Sequence, residues 1–194
     1  MEHDDVLELF RKSGAFLEGH FLLTSGLHSP HYFQCAKVLQ YPNSAQKLCW
    51  EIANHYMTKK ISVVIGPAIG GIVVAQEVAR LINARAIFAE RQDGKMTLRR
   101  GFELLPEDRV LVVEDVVTTG GSIKEVIDLV KESSASLQGV GFIVDRTQGK
   151  VQFDCPSFSL LKMDVITFSS QECPLCNQNL PLVKPGSRKL PVTS

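Results

Sequence analysis

The chain has 194 residues, 44% of them hydrophobic and 22% charged, with Lys+Arg and Asp+Glu balanced at 21 each. That length supports one sizeable core rather than two domains, and the even charge gives no global basicity for nucleic acid. No apolar run approaches the ~18 residues of a membrane span, the opening Met1-Glu2-His3-Asp4-Asp5 is acidic where a signal peptide is basic, and five Cys, an odd number, suit reduced thiols and a cytoplasmic home.

In chain order, residues 5–10 read as a short amphipathic helix stopped near Gly14. Residues 21–40 read as an extended, aromatic-rich stretch, with turn signals at Ser25-Gly26 and Ser29-Pro30. Pro42-Asn43-Ser44 opens a helix carrying Ala45, Leu48, Cys49, Ile52, Ala53 and Tyr56 at helical spacing. Strands and helices then alternate: strand 61–65, helix 71–82, strands 84–89 and 109–113, helix 122–132, strand 140–144, and short strands at 158–161 and 165–168. From Pro181 the chain reads as irregular. The alternation predicts an α/β fold, a parallel sheet with helices on both faces.

The richest segment for chemistry is the apolar run Val110-Leu111-Val112-Val113, which ends in Glu114 and Asp115 and continues as Val116, Val117, Thr118, Thr119, Gly120, Gly121 and Ser122 into a helical pattern. Two carboxylates on the end of a buried strand are costly unless hydroxyls, a cation or water meet them. They fall where ligands bind in open α/β sheets. Gly120 and Gly121 permit a tight turn and a close approach, and the unpaired N–H groups of the next helix favour an anion. A capped helix without ligand is the plain alternative, but capping gives the two carboxylates nothing to do. There is no Gly-x-x-x-x-Gly-Lys loop. The pattern suits a sugar phosphate.

A second strand-to-helix turn, Gly66-Pro67-Ala68-Ile69-Gly70-Gly71, is a weak signal alone and gains weight beside the first. The polar stretch 89–102 carries Arg91, Lys95, Arg99 and Arg100; it reads either as a solvated loop or as a lid that brings cations to a departing anion. Asp145-Arg146-Thr147 ends another buried strand, as a surface ion pair or as a forked donor for a planar ligand. Cys173-Pro174-Leu175-Cys176 reads foremost as packing, with structural zinc as the alternative, since two ligands are half of a usual zinc site; Cys35, Cys49, Cys155 or a second subunit are the partners considered. His28 and His31, lacking carboxylate or Cys neighbours in sequence, are set aside as a metal pair.

Residues 114–122 resemble the phosphoribosyl-pyrophosphate (PRPP) signature of type I phosphoribosyltransferases, and the segment 21–33 is similar to the N-terminal hood of the orotate-using members. The resemblance runs from about Gly19 to the C-terminal region. It implies a single domain over 1–194: a central, mostly parallel sheet with flanking helices over about 43–165, and a small hood from about 1–42 and 166–194. It implies transfer of ribose 5-phosphate from PRPP to orotate, giving orotidine 5′-phosphate and pyrophosphate in pyrimidine biosynthesis. PRPP would contact residues 114–122, then Ala68, Ile69, Gly70 and Gly71 in a loop that in this family often contains a non-proline cis peptide, and Arg91 and Lys95. Orotate would contact Thr118, Arg146, Tyr32 and Phe33. Lys95, Arg91 and Asp115 are the catalytic expectations, Mg²⁺ enters with PRPP near Glu114 and Asp115, and a homodimer shares the 89–102 loop across its interface. The chain departs from the longer members in having Gly70 and Thr24 where many carry Lys, and no His in the loop. A purine or uracil phosphoribosyltransferase, or a PRPP-binding regulator without turnover, are the alternatives; the hood, Arg146 and the retained loop cations weigh against them.

Overall fold

The computed structural model describes residues 1, 3–23, 25–147, 149–163 and 166–185. Helix α1 (His3–Lys12) buries Val6 and Phe10, four residues apart on one face. Strands β1 (Phe16–Leu22) and β2 (His28–Phe33) form a separate antiparallel pair. Helix α2 (Cys35–Leu39) follows, in a stretch whose aromatic content had suggested extended chain. Its Val38 and Leu39 join the core, so packing overrides that local preference. Helix α3 (Pro42–Tyr56) has Pro at its start, where a missing N–H costs nothing, and buries every residue that the spacing selected.

From there the order is β3 (Val63–Pro67), α4 (Gly70–Ile82), β4 (Arg85–Gln92), β5 (Lys95–Leu98), β6 (Arg109–Val117), α5 (Gly121–Glu132), β7 (Ser136–Asp145), β8 (Ser157–Lys162) and the short α6 (Pro174–Asn177). The six-stranded sheet has the order β5-β4-β3-β6-β7-β8, parallel except for the edge strand β5. The alternation thus yields the sheet that the sequence predicts. The strand expected at 165–168 is reduced, among its described residues, to one bridge between Phe168 and His28, and Val165 lies outside the described residues.

Two apolar clusters sandwich the sheet. One joins α1, α2, α3 and α4 through Phe10, Val38, Leu48, Ile52 and Val78; the other sets Ile123, Val126 and Val130 of α5 against Val63, Val112 and Val140. Removing a side chain such as Ile52, fully buried, would cost about 2–5 kcal/mol. Tyr56 closes the sheet end by donating its hydroxyl hydrogen bond to the Val140 carbonyl at 2.8 Å.

The consequence for function is topological. From β3 the chain steps outward to β4 and β5; from β6 it steps the other way to β7 and β8. The winding therefore reverses between β3 and β6. At such a switch point the two following loops diverge and leave a crevice beyond the strands' carboxyl ends.

Candidate active site

Both loops at the reversal are those singled out in the sequence. After β6 the chain reaches Gly120, whose φ of 72° is a left-handed turn that a Cβ would crowd against Val151 Cγ1 at 2.7 Å. Helix α5 then begins with no side-chain cap. Its first N–H groups are left to an incoming acceptor. Glu114 and residues 116–123 line a cavity of about 50 Å³ at this point. A larger groove of about 670 Å³ lies between α1 and α3, and no predicted site residue lines it.

Glu114 is 9% exposed. Its Oε1 accepts a hydrogen bond from the Asp115 N–H at 3.1 Å, and Asp115 Oδ1 accepts from the Val116 N–H at 2.9 Å. Burial raises the pKa of both carboxyls; for Glu114 the rise is large, and the neighbouring Asp115 charge adds to it. The pair sits beside the β3 loop. A Cβ on Gly70 would run into the Asp115 carboxylate, and one on Gly71 would lie 3.2 Å from Glu114 Oε1. Glycine at these positions lets the two loops touch, so position 70 has no room for a side chain with Asp115 as it lies here. The Ala68–Ile69 peptide is cis, and Ile69 is 81% exposed.

Arg146, just beyond β7, is held by its N–H donating to the Val117 carbonyl at 2.8 Å. Its Nε is buried without a hydrogen-bond partner among the described residues. Burial lowers the guanidinium pKa, opposed by the Tyr32 and Cys35 groups nearby. Tyr32 from β2 is raised in turn by burial, with Arg146 pulling it down. Cys35 reaches the same corner, its Sγ 3.9 Å from the Asp115 carbonyl, and burial pushes its thiol well up. The hood and the strand ends therefore meet at Arg146.

Phe33 departs from expectation. It is 4% exposed and packs against Phe10 and Phe16, with ring centroids 5.7 and 5.0 Å away. Successive side chains on a strand face opposite ways, so Tyr32 and Phe33 cannot both face the crevice. Phe33 belongs to the core.

The stretch 89–102 is also more ordered than a lid loop. Its first half extends β4, and β5 pairs back in the register Arg91↔Met96 and Gln92↔Lys95. The turn is Asp93-Gly94, with φ of 51° and 83°. Asp-Gly between two extended runs is a strong hairpin signal, and it was readable in the sequence. Arg91 Nη2 donates to Glu125 Oε1 at 2.7 Å, Arg100 pairs with Glu90 at 3.0 Å, and Arg99 lies 3.8 Å from the same carboxylate. Among the described residues, Lys95 is the hairpin cation with no carboxylate in ion-pair range.

Cys173 and Cys176 lie in the hood, apart from the crevice. Neither Cys35, Cys49 nor Cys155 approaches them; His20 and His28 do. His31, set aside with His28 as a metal pair, stacks on Phe16 at 5.2 Å. Thr24 falls outside the described residues.

Residues 36–174 match the phosphoribosyl transferase domain family, the class to which this sheet and crevice belong. Over 190 residues, 98% of this chain and all of the relative, it is 56% identical to an orotate phosphoribosyltransferase of Caldanaerobacter subterraneus subsp. tengcongensis. It is equally 56% identical, over 97% of its length, to one from a Thermoanaerobacter species, again covering that relative completely. The chain belongs to the orotate phosphoribosyltransferase family. Among solved structures it resembles orotate phosphoribosyltransferase from Aeropyrum pernix, with a TM-score of 0.68 and 27% identity over 81% of this chain and 93% of that one. Adenine phosphoribosyltransferase from Trypanosoma brucei shares the fold at a TM-score of 0.62 and 16% identity, covering 95% of this chain and 89% of that one. The fold is therefore common to enzymes for different bases, and residues must choose among them.

Proposed function

We propose that the chain transfers the ribose 5-phosphate unit of PRPP to N1 of orotate, giving orotidine 5′-phosphate and pyrophosphate. One observation carries this reading: a carboxyl pair raised by burial and a buried guanidinium nitrogen without an acceptor meet at one crevice. Among the described residues Glu114 and Asp115 accept from backbone N–H groups, and Arg146 has a buried Nε with no acceptor. PRPP offers ribose hydroxyls to the first; orotate, a planar base with a carboxylate, offers acceptors to the second.

The roles follow from position. Glu114 and Asp115 accept hydrogen bonds from the ribose hydroxyls. The N–H groups from Val116 to Ser122, with the hydroxyls of Thr118, Thr119 and Ser122, hold the 5-phosphate. Backbone groups of Ala68, Ile69, Gly70 and Gly71 hold pyrophosphate. Arg146 and Thr118 bind orotate against Tyr32. Lys95 approaches the leaving group; Arg91 joins it only by exchanging its Glu125 partner. The hard oxygens of Glu114 and Asp115 suit Mg²⁺ held mainly by PRPP, directly or through water, and bound Mg²⁺ supplies neutralising charge for the pyrophosphate. As the C1–O bond breaks, its electron pair leaves with pyrophosphate, N1 bonds to C1, and the N1 proton is released. No side chain acts as nucleophile. Orientation and fixed charges do the catalytic work.

The active unit in this reading is a homodimer in the cytoplasm, the Lys95 hairpin serving the neighbouring subunit; a cation without a carboxylate partner among the described residues of its own chain supports that arrangement. Among the described residues no helix is long and apolar enough to cross a membrane. The test is loss of orotate absorbance on adding PRPP and Mg²⁺, with adenine, hypoxanthine and uracil as competitors. Turnover of orotate alone is expected; turnover of a competitor in its place overturns the assignment of the base.

A further inference from the structure

Four metal-ligand side chains meet at the far side of the hood. His20 comes from β1, His28 from β2, Cys173 caps the start of α6 and Cys176 lies within it, about 150 residues further along the chain. One donor atom from each lies within 4.8 Å of every other. His20, His28 and Cys173 are 4%, 5% and 1% exposed. All five cysteines are free, so no disulfide joins the pair.

The hydrogen bonds do not close this group on itself. His20 Nδ1–H donates to the Leu180 carbonyl at 2.9 Å, which leaves Nε2 with a lone pair and no proton. Three neighbours crowd that one lone pair: His28 Nδ1 at 2.8 Å, Cys173 Sγ at 3.5 Å and Cys176 Sγ at 3.7 Å. Cys176 Sγ is also 3.3 Å from His28 Nδ1. One lone pair satisfies one donor. A cation at the centre satisfies all four atoms.

The spacings suit zinc. Tetrahedral Zn²⁺ with Zn–S near 2.3 Å and Zn–N near 2.0–2.1 Å separates its ligand atoms by about 3.3–3.8 Å. Three of the four sulfur–nitrogen separations fall at 3.3–3.7 Å, and the imidazoles need to part by about 0.5 Å. The Leu180 carbonyl is the outer partner that zinc-bound histidines usually have, fixing tautomer and ring orientation. Two thiolates and two neutral imidazoles cancel the charge of Zn²⁺, so the site can be buried; the two thiol protons go to solvent on binding.

We infer that His20, His28, Cys173 and Cys176 form a structural zinc site that fastens the C-terminal segment to the β1–β2 hairpin. Four protein ligands leave no open position for a substrate, so the ion is a clamp and not a catalyst. Among the described residues, the segment's backbone meets the hairpin at two isolated bridges, Phe168 with His28 and Val183 with Phe21, and the ion would tie the stretch between them.

The test uses the full chain, expressed with zinc in the medium and purified without chelator. Elemental analysis is expected to find about one zinc per chain, falling at least fivefold in the C173S/C176S double variant. Loading the chelated protein with Co²⁺ is expected to give the intense visible bands of tetrahedral thiolate coordination, a readout on the unaltered chain should the double variant fold poorly. Chelation is expected to lower the melting temperature and to speed amide exchange at residues 166–183, leaving exchange in β6 unchanged. Zinc below about a fifth of an equivalent in the wild-type protein, with no cobalt bands, overturns the inference; so does zinc retained by the double variant. Orotate turnover enters none of these readouts, so the two readings stand or fall separately.

Discussion

The crevice at β3 and β6 and the Cys/His group in the hood are both clusters of buried polar side chains, yet they are built in opposite ways. In the crevice the groups are only partly answered: two adjacent carboxyls are raised by burial, a guanidinium nitrogen has no acceptor among the described residues, and a helix begins uncapped. In the hood four ligand atoms lie within 4.8 Å of one another, and a carbonyl holds one ring in place. A buried group without a partner costs about 1–3 kcal/mol. Such costs persist where a transient ligand removes them, whereas a closed set of donors describes a permanent occupant.

If the crevice is the reacting site, its damage should appear in rate and not in stability. Asp115→Asn is expected to cut kcat/KM for PRPP roughly a hundredfold or more, the scale of losing one preorganised electrostatic contact, with the fold intact by circular dichroism. Near-normal turnover would remove Asp115 from the site. Arg146→Ala is expected to raise KM for orotate about 10- to 100-fold, as for a charged hydrogen bond worth about 1.5–3 kcal/mol, with KM for PRPP little changed. Arg146→Lys should recover little, because a point charge does not replace a fork. Equal effects on both substrates would mean that Arg146 supports the strand end and does not read the base.

The hairpin cations sharpen the comparison further. Lys95→Ala is expected to lower kcat about tenfold or more, on the scale of one electrostatic contact to the leaving group. Arg100→Ala should do less, since Arg100 is engaged by Glu90 at 3.0 Å and lies over the Phe88 ring at 5.6 Å. Both variants should melt close to wild type, exposed pairs being worth about 0–1 kcal/mol. The reverse order of effects would make Glu90 a partner that hands Arg100 over during turnover.

How far the sequence could carry these conclusions depends on the range of each signal. The β6 run, the helix after it and the carboxyls at its end were legible because one continuous segment contains them all. The Asp93-Gly94 hairpin is equally local, and its turn pair marks it where the polar stretch otherwise reads as a solvated loop or a lid. Phe33 was misplaced for want of strand alternation: once β2 is known to be a strand, Tyr32 and Phe33 must part. The hood cluster was out of reach for another reason. His20 and His28 face each other across a hairpin, and Cys173 arrives from the far end of the chain. Nothing in the spacing of His28 and His31 hints at this, and on a strand residues three apart point to opposite faces. Loop approach at Gly70 was likewise invisible, because the crowding atoms belong to Asp115.

The smallest expected effect bears most directly on the contrast between an open and a closed cluster. Glu114 has its pKa raised in the folded protein, first by burial and then by Asp115. The folded state therefore keeps a proton that the unfolded chain gives up near the ordinary carboxylate pKa of about 4.3. Between that value and the raised one the native state binds more protons, so its stability falls as pH rises through the interval. This is opposite in sign to a carboxylate held by a salt bridge, whose contribution is lost as pH falls. Glu114→Gln removes the titration and keeps the shape. In the ligand-free protein it is expected to raise the melting temperature at pH 7 by about 2–4 °C, what roughly 1 kcal/mol gives at this length, and to leave it almost unchanged at pH 4. PRPP with Mg²⁺ should stabilise the wild type more than the variant, since the hydroxyls and the cation favour a carboxylate that only the wild type can form. A variant less stable than wild type at pH 7 would mean that the Glu114 carboxylate is already satisfied within the protein, and the crevice would lose its claim to be waiting for a ligand.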